Sequence, residues 1–323
     1  MGIPLAKKKP PHCVPVITLL TDFGYQDAYI GIMKGVIAGI NPSAAVIDIC
    51  HDVMPQDVFG GAYLLSTAYL YFPKGTVHVA VVDPGVGSKR DIVCVEFRDC
   101  VFIVPDNGIL SFVLWQESPR RIVRATNTRY FLPSPSNTFH GRDVFAPLAA
   151  YLSLGVKLQR LGDKIDRLEQ LNVCAPVVGK SGKLAGEVMY VDRFGNLITN
   201  ITRGHIESLW GEIRNNPERV NSKLEIRNPK LEIRNPKFET RNSKLEIRNS
   251  KSETRNSKLE TVVRKEKIVG LSASYMDVGK GRPLAIIGST GYLEISVNQG
   301  SAQKRFKAKR ETKVTVGIIT LTI

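Results

Sequence analysis

The sequence predicts two domains, an N-terminal three-layer α/β domain with a mostly parallel sheet and a C-terminal β-barrel domain. Three observations carry that expectation. From Val16 to about Leu154, apolar strand-like runs alternate with segments of helical period, which is the pattern of a parallel sheet covered by helices. After Val177-Val178-Gly179 the helical period fades, and short strand-like runs separated by turn residues take over. Many short strands with few helices favour a small barrel. The length of 323 residues, with 43% hydrophobic content, is enough for two cores of ordinary size.

Taken in order, residues 1–15 form a tail with Lys7, Lys8 and Lys9 followed by prolines. No apolar run stands behind the lysines, so the tail is expected to be disordered and not a secretory signal. Val16 to Leu20 is a first strand, ending in Thr21-Asp22-Phe23-Gly24. Ala28 to Ile40 places Ile30, Met33, Val36, Ile37 and Ile40 at helical spacing and stops at Asn41-Pro42, a helix terminator. Ala45 to Ile49 is a second strand and about Gln56 to Tyr71 a second helix. Thr76 to Val82 is a third strand, Ile92 to Phe97 and Cys100 to Val104 a hairpin-like pair, and Arg142 to Leu154 a closing helix. The α/β domain is expected to span 16–178 and the barrel 179–323. Within the barrel, strands are expected at Glu187–Tyr190, Leu197–Ile201, Ile268–Ala273, Leu284–Ile287, Leu293–Val297 and Lys313–Ile323.

The barrel is interrupted at 212–262 by a heptapeptide array. Lys-Leu-Glu-Ile-Arg-Asn-Pro at 223–229 recurs at 230–236, and variants continue to 257. A coiled-coil seam is excluded, because the two apolar residues of a unit, Leu224 and Ile226, stand two apart. Asn-Pro or Asn-Ser in each unit also breaks a helix. Two apolar residues in seven cannot offset the ordering entropy, so disorder is expected, with weak β-hairpin stacking as the alternative, and no catalytic role is assigned.

Composition removes several classes. Five cysteines without a C-x-x-C pair speak against a disulfide framework or a zinc knuckle and fit a reducing, cytoplasmic setting. No apolar run is long enough to span a membrane. The formal charge of +15 invites a nucleic-acid reading, but the array alone holds 13 basic and 8 acidic residues, and the tail adds three lysines. With aromatics at 7%, the charge points to non-specific attraction and no specific nucleic acid is expected.

Several loops could carry chemistry. Residues 81–90, Val-Val-Asp-Pro-Gly-Val-Gly-Ser-Lys-Arg, deliver Asp83 from a buried strand into a glycine turn followed by Arg90. Open α/β sheets present their chemistry at such strand ends; a simple Asp83–Arg90 ion pair is the rival reading. Asp22 could accept both hydroxyls of a ribose or cap a helix. The D-F-G triplet in 22–24 lacks a preceding H-R-D loop, so a kinase is excluded. His51-Asp52 lacks the further histidines a metal-dependent phosphohydrolase would need, since the chain has five His in all. Pro105-Asp106-Asn107-Gly108 is a good turn by composition. In Thr138-Phe139-His140-Gly141-Arg142-Asp143, the His sits in a glycine-flanked loop suited to proton handling. Asp192-Arg193-Phe194-Gly195-Asn196 and Gly288-Ser289-Thr290-Gly291-Tyr292-Leu293-Glu294 read either as hairpin turns or as polar ligand contacts.

In order and spacing, T-D-F-G (21–24), V-D-P-G-V-G (82–87) with Arg90, P-D-N-G (105–108), F-H-G-R-D (139–143), D-R-F-G-N-L-I-T-N-I (192–201) and G-Y-L-E-I-S-V-N-Q-G (291–300) closely resemble one family. It is the S-adenosylmethionine hydroxide adenosyltransferases, relatives of the fluorinating and chlorinating enzymes. The resemblance spans nearly the whole chain except the tail and the array. It implies a homotrimer that hydrolyses S-adenosyl-L-methionine to adenosine and methionine, with no cofactor and no metal. By motif, it implies that Asp22 holds the ribose and that Asp83, Arg90 and His140 position and activate water. It likewise implies that Asn196 contacts adenine, that Asp192 and Ser289 bind the methionine end, and that Tyr292, Glu294 and Val297 lie in the nucleoside-lining segment. The halogenating relatives carry other residues at the Asp83 and His140 positions, so this set favours hydroxide. The array stands where the family has a short connection. A different class of function, a catalytically silent nucleoside-binding or interaction protein with a basic surface, is the alternative.

Overall fold

A computed structural model describes residues 14–179, 181–215 and 257–320, in two units that divide between Leu171 and Asn172. The tail up to residue 13 and the array residues 216–256, both expected to be disordered, lie outside the described residues.

In the first unit, seven strands form one sheet: β1 (Val16–Thr21), β2 (Ala45–Cys50), β3 (Thr76–Val81), β4 (Ile92–Glu96), β5 (Cys100–Pro105), β6 (Arg121–Ala125) and β7 (Gly162–Ile165). The order is β2-β1-β3-β5-β4-β6-β7. Strands β2, β1, β3, β5 and β6 run one way, and β4 and β7 the other. Central β3, Thr-Val-His-Val-Ala-Val, is buried at every position, as a strand covered on both faces must be.

The alternation of side chains sorts the two helical layers. Ile17, Leu19, Val77, Val79 and Val81 pack with Met33 and Ile37 of α1 (Tyr29–Ile40) and with Leu148 of α4 (Ala146–Ser153). On the opposite face, α2 (Val58–Ala68) approaches Val82 so closely that a Cβ at Gly61 would stand 3.0 Å from its methyl. Phe59 of α2 packs edge-on against Phe112 of α3 (Ser111–Gln116), with ring centres 5.2 Å apart. His78 on that face is bonded to Thr18 and stacked on Phe102. Burial presses its pKa down to about 3, so it is a neutral core residue.

The second unit is a sheet of eight strands: β8 (Val177–Val178), β9 (Leu184–Val191), β10 (Leu197–Thr202), β11 (Ser257–Val263), β12 (Glu266–Val269), β13 (Pro283–Ile287), β14 (Tyr292–Val297) and β15 (Lys313–Thr320). The path runs β12-β11-β15-β9-β10-β14-β13, with β8 paired to β9. A parallel bridge between Ser272 and Ile286 ties the segment after β12 to β13 and brings the sheet close to a closed barrel. Because β8 pairs with β9, Val177 and Val178 belong to this unit.

Two expectations for the array need correction at its edges. Residues 203–215 form a helix, α5 (Arg203–Asn215), which runs past the expected start at 212. At the other end, β11 pairs with β15 from Ser257 to Val263. Leu259, Thr261 and Val263 alternate into the core, so the last decayed repeat supplies a period-two pattern that fits an open strand edge. The strand expected at Ile268–Ala273 stops at Val269, since Gly270 turns with φ +92°. A short helix, α6 (Ala302–Phe306), buries Phe306 in the barrel core.

Candidate active site

Asp83 stands two residues beyond β3, in the turn the sequence singles out. Its Oδ2 accepts from the Arg90 guanidinium, and the nearby Gly85 amide also favours the ionised carboxylate. The side chains of Arg90 and Asp83 are only 9% and 4% exposed, so water screens the pair poorly. Arg90 also donates to the Asp91 carbonyl at 3.0 Å, and Ser88 Oγ braces the turn by donating to Gly85 O at 2.7 Å. The P-D-N-G turn has a definite role here. Asn107 Nδ2 donates to the Val82 carbonyl at 2.9 Å, fixing the backbone immediately before Asp83.

His140 reaches the same place from the far end of the unit. Its loop is held by Asp143, whose Oδ2 accepts from the Ser136 amide at 2.8 Å and the Ser136 hydroxyl at 2.7 Å. Arg142 Nε donates to Asp143 Oδ1 at 2.6 Å. His140 precedes a π-helical turn, Gly141–Phe145, where α-helical spacing was expected from Arg142; such turns recur at functional sites. The two loops touch at Gly87. It has φ +78°, and a Cβ there would lie 2.5 Å from the Asn137 carbonyl oxygen.

Electrostatics join the three side chains. Burial raises the Asp83 pKa, and the charges of Arg90 and His140 oppose it without reversing it. Burial, then the Arg90 charge, lowers the His140 pKa, while Asp83 and Asp143 push the other way. An acid moved up and a base moved down approach one another, as in paired acid–base sites. Asp83 Oδ1, Arg90 Nε and His140 Nδ1 are each buried without a protein partner among the described residues.

Asp22 follows β1 and accepts from the Gln56 amide at 2.7 Å through Oδ2. Gln56 itself has φ +66°. The neighbouring Phe23 meets Phe139 with ring centres 6.2 Å apart, linking this turn to the His140 loop. Asp22, Asp83, Arg90 and His140 therefore all belong to the strand ends and loops of the first unit.

The remaining candidates lie in the second unit. In the β9–β10 turn, Asp192 Oδ1 accepts from the amides of Phe194 and Asn196, and Asn196 Nδ2 donates to Asp192 Oδ2 at 2.8 Å. Ser289 is exposed at the tip of the β13–β14 turn, which closes through Gly291 N to Gly288 O. Alternation along β14 divides the rest. Leu293, Ile295 and Val297 pack in the barrel core, whereas Glu294 and Ser296 are on the other face. The Val297 side chain thus does not share the Glu294 face. Glu294 Oε1 accepts from Tyr275 and Ser296 hydroxyls, each at 2.7 Å. Burial, the Glu294 bond and the charge of Asp192 push Tyr275 up to about 12. Tyr292 is buried, at 8% exposure.

The family described as SAM hydroxide adenosyltransferase matches through its N-terminal domain over residues 17–162 and through its C-terminal domain over 186–239 and 241–315. The chain belongs to the SAM hydroxide adenosyltransferase family. An (R)-S-adenosyl-L-methionine hydrolase of Thermus thermophilus is 32% identical over 305 residues, 91% of this chain and 96% of that protein. A solved structure of an uncharacterized conserved protein from Thermotoga maritima shares the fold with a TM-score of 0.75 at 33% identity, covering 93% of this chain and 99% of that one. A fluorinase of Actinopolyspora mzabensis is 27% identical over 60% of this chain and 74% of its own length.

Some residues that brace these loops within each unit had no signal in the sequence. Ser136 and Asn137 lie in a polar loop and Tyr275 in a short 3-10 turn, and their partners are 7, 50 and 19 positions away. Asn107 did stand in a motif, but a turn composition does not reveal that its amide reaches Val82.

Proposed function

We propose that this family member is an adenosine-forming S-adenosyl-L-methionine hydrolase, in which water attacks C5′ of the ribose and displaces methionine. The observation that carries the reading is the buried Asp83–Arg90 pair with half-buried His140, which together hold three buried polar atoms without a partner, in a chain of this family. A water molecule has two hydrogens and two lone pairs. Asp83 Oδ1 and His140 Nδ1 accept the hydrogens and Arg90 Nε donates to one lone pair, which leaves the other for C5′. Holding water in line with the C–S bond supplies most of the orientation that displacement needs. The sulfonium leaves as a neutral thioether, so the reading requires neither a general acid nor a metal at the leaving group. The proton released on attack passes to His140 or Asp83, whose affinities for it have been drawn together.

In this reading Asp22 accepts the ribose hydroxyls, Asn196 contacts adenine, and Asp192 and Ser289 bind the methionine end. Glu294 and Tyr292 line the nucleoside segment, and Val297 contributes through its backbone. A homotrimer working in the cytoplasm belongs to the same proposal. Among the described residues no helix is long and apolar enough to cross a membrane.

Purified protein incubated with the (R)-sulfonium epimer of S-adenosylmethionine, the form named for the Thermus thermophilus relative, is expected to release adenosine and methionine in equal amounts, followed by chromatography. Nucleoside binding without adenosine release above background would instead establish a silent binding protein. The pH profile supplies a second expectation. Neutral His140 is the active form, and its pKa is lowered from 6.5. Activity is therefore present above that lowered pKa and lost as pH falls through it, so the acid limb of kcat/KM should be centred below pH 6.5. A limb centred above that value would remove neutral His140 from the mechanism.

A further inference from the structure

His51 is 1% exposed, and the proposed reaction does not use it. A buried imidazole is costly unless its nitrogens are engaged, and the partners of this one point in a single direction. Its Nδ1 lies 2.8 Å from Thr21 Oγ1, and the same oxygen accepts from the Phe23 amide at 3.2 Å. The His51 carbonyl accepts from the Gly24 amide at 2.8 Å. On the other side of the ring, Asp48 Oδ1 is 3.1 Å from Nε2 without hydrogen-bond alignment, near enough to orient it electrostatically. Lys34 Nζ donates to Asp48 Oδ2 at 2.7 Å. The ring of Tyr25 stands edge-on to the imidazole at 5.2 Å.

These contacts agree on one tautomer. A carboxylate facing Nε2 holds the proton there, so Nδ1 accepts from the Thr21 hydroxyl, and Thr21 Oγ1 remains free to accept from Phe23. Thr21 is thus fastened to the His51 ring, Phe23 to Thr21 and Gly24 to the His51 carbonyl, and the residue they enclose is Asp22. Other uses of His51 fit poorly. Among the described residues no group of three or more His, Cys, Asp or Glu could hold a metal, and Nδ1 is already engaged by Thr21.

We propose that His51, oriented by Asp48 and Lys34, is a positioning residue that acts through Thr21 and the Gly24 amide to fix the angle at which Asp22 meets the two ribose hydroxyls. The inference rests on the reading of Asp22 as the ribose-binding carboxylate. It assigns His51 to recognition of a cis-diol and not to the chemical step.

The test is calorimetric binding of adenosine and of 2′,3′-dideoxyadenosine to the full chain, which does not depend on turnover. The hydroxyls make hydrogen bonds to a charged group, so wild type should prefer adenosine by about ten-fold or more. Asp22→Ala should bring that ratio close to one. Thr21→Val, which keeps the side-chain shape, and His51→Gln should each lower the ratio by about three-fold or more, with dideoxyadenosine affinity unchanged. Thr21→Ser, which keeps the hydroxyl, should restore the wild-type ratio. If Thr21→Val and His51→Gln keep the wild-type ratio while Asp22→Ala loses it, the positioning role is overturned and the Asp22 reading stands. Equal loss of affinity for both nucleosides also overturns it, because a general structural role acts on both. A wild-type ratio in Asp22→Ala overturns the Asp22 reading and the proposal with it.

Discussion

Asp83→Asn is expected to lower the rate of methionine release by about 10²- to 10⁴-fold, the usual range for a positioned acid–base group, with nucleoside affinity little changed. Asn keeps the shape and can still accept a hydrogen bond, so the loss isolates the negative charge and the basicity of Oδ1. Stability should fall as well. Arg90 would be left with a buried guanidinium and no carboxylate, and breaking a buried pair in this way costs about 3–5 kcal/mol. The double variant Asp83→Asn/Arg90→Gln separates the two effects. If the pair only braces the turn, removing both charges should recover stability and turnover together. If it holds and activates water, the double variant should regain much of its denaturant midpoint while turnover stays as low as in the single variant. Single-turnover methionine release and urea unfolding, made on the same preparations, decide between these outcomes.

The same pair shows how far the sequence reaches. Asp83 at the end of a buried run, beside Pro-Gly-Val-Gly, is visible as a strand end because β3 is apolar at nearly every position. That it meets Arg90 follows from a seven-residue turn, which is local. Its electrostatic coupling to His140 spans 57 positions and depends on where the 131–143 loop settles, which composition does not encode; the ordered family motifs carried that association. The braces of the site are harder still. Asp143 bonds its neighbour Arg142, but its larger task is to bind Ser136 twice and so shape the loop. Val297 sits in a motif stretch, yet period-two alternation along β14 turns it into the core, a parity that the exact strand register sets. The array misled at its edges for a related reason. Its low complexity hid the fact that Leu259, Thr261 and Val263 already have the alternation of a strand, and pairing with β15 supplies the rest.

The second large effect is expected at Gly87. With φ +78°, an alanine there adopts the left-handed conformation, which costs about 1–2 kcal/mol by itself. Its Cβ would also stand 2.5 Å from the Asn137 carbonyl oxygen, well inside contact distance. Asn137 cannot simply withdraw, since Ser136 beside it is bonded twice to Asp143. Either the Asp83 turn or the His140 loop must shift, and each shift separates groups that have to converge on one water. Gly87→Ala should therefore reduce kcat by about ten-fold or more, since small misplacements of reacting groups are amplified in rate, and lower the melting temperature by several degrees. Gly75→Ala is the matched control. Gly75 has φ +85°, but a Cβ there would meet no atom within 4 Å, so the variant should carry comparable backbone strain without losing kcat. Equal kcat in the two variants would mean that the Gly87–Asn137 contact serves stability alone. A fall confined to Gly87→Ala would mean that the glycine is retained there because the loops of Asp83 and His140 must touch.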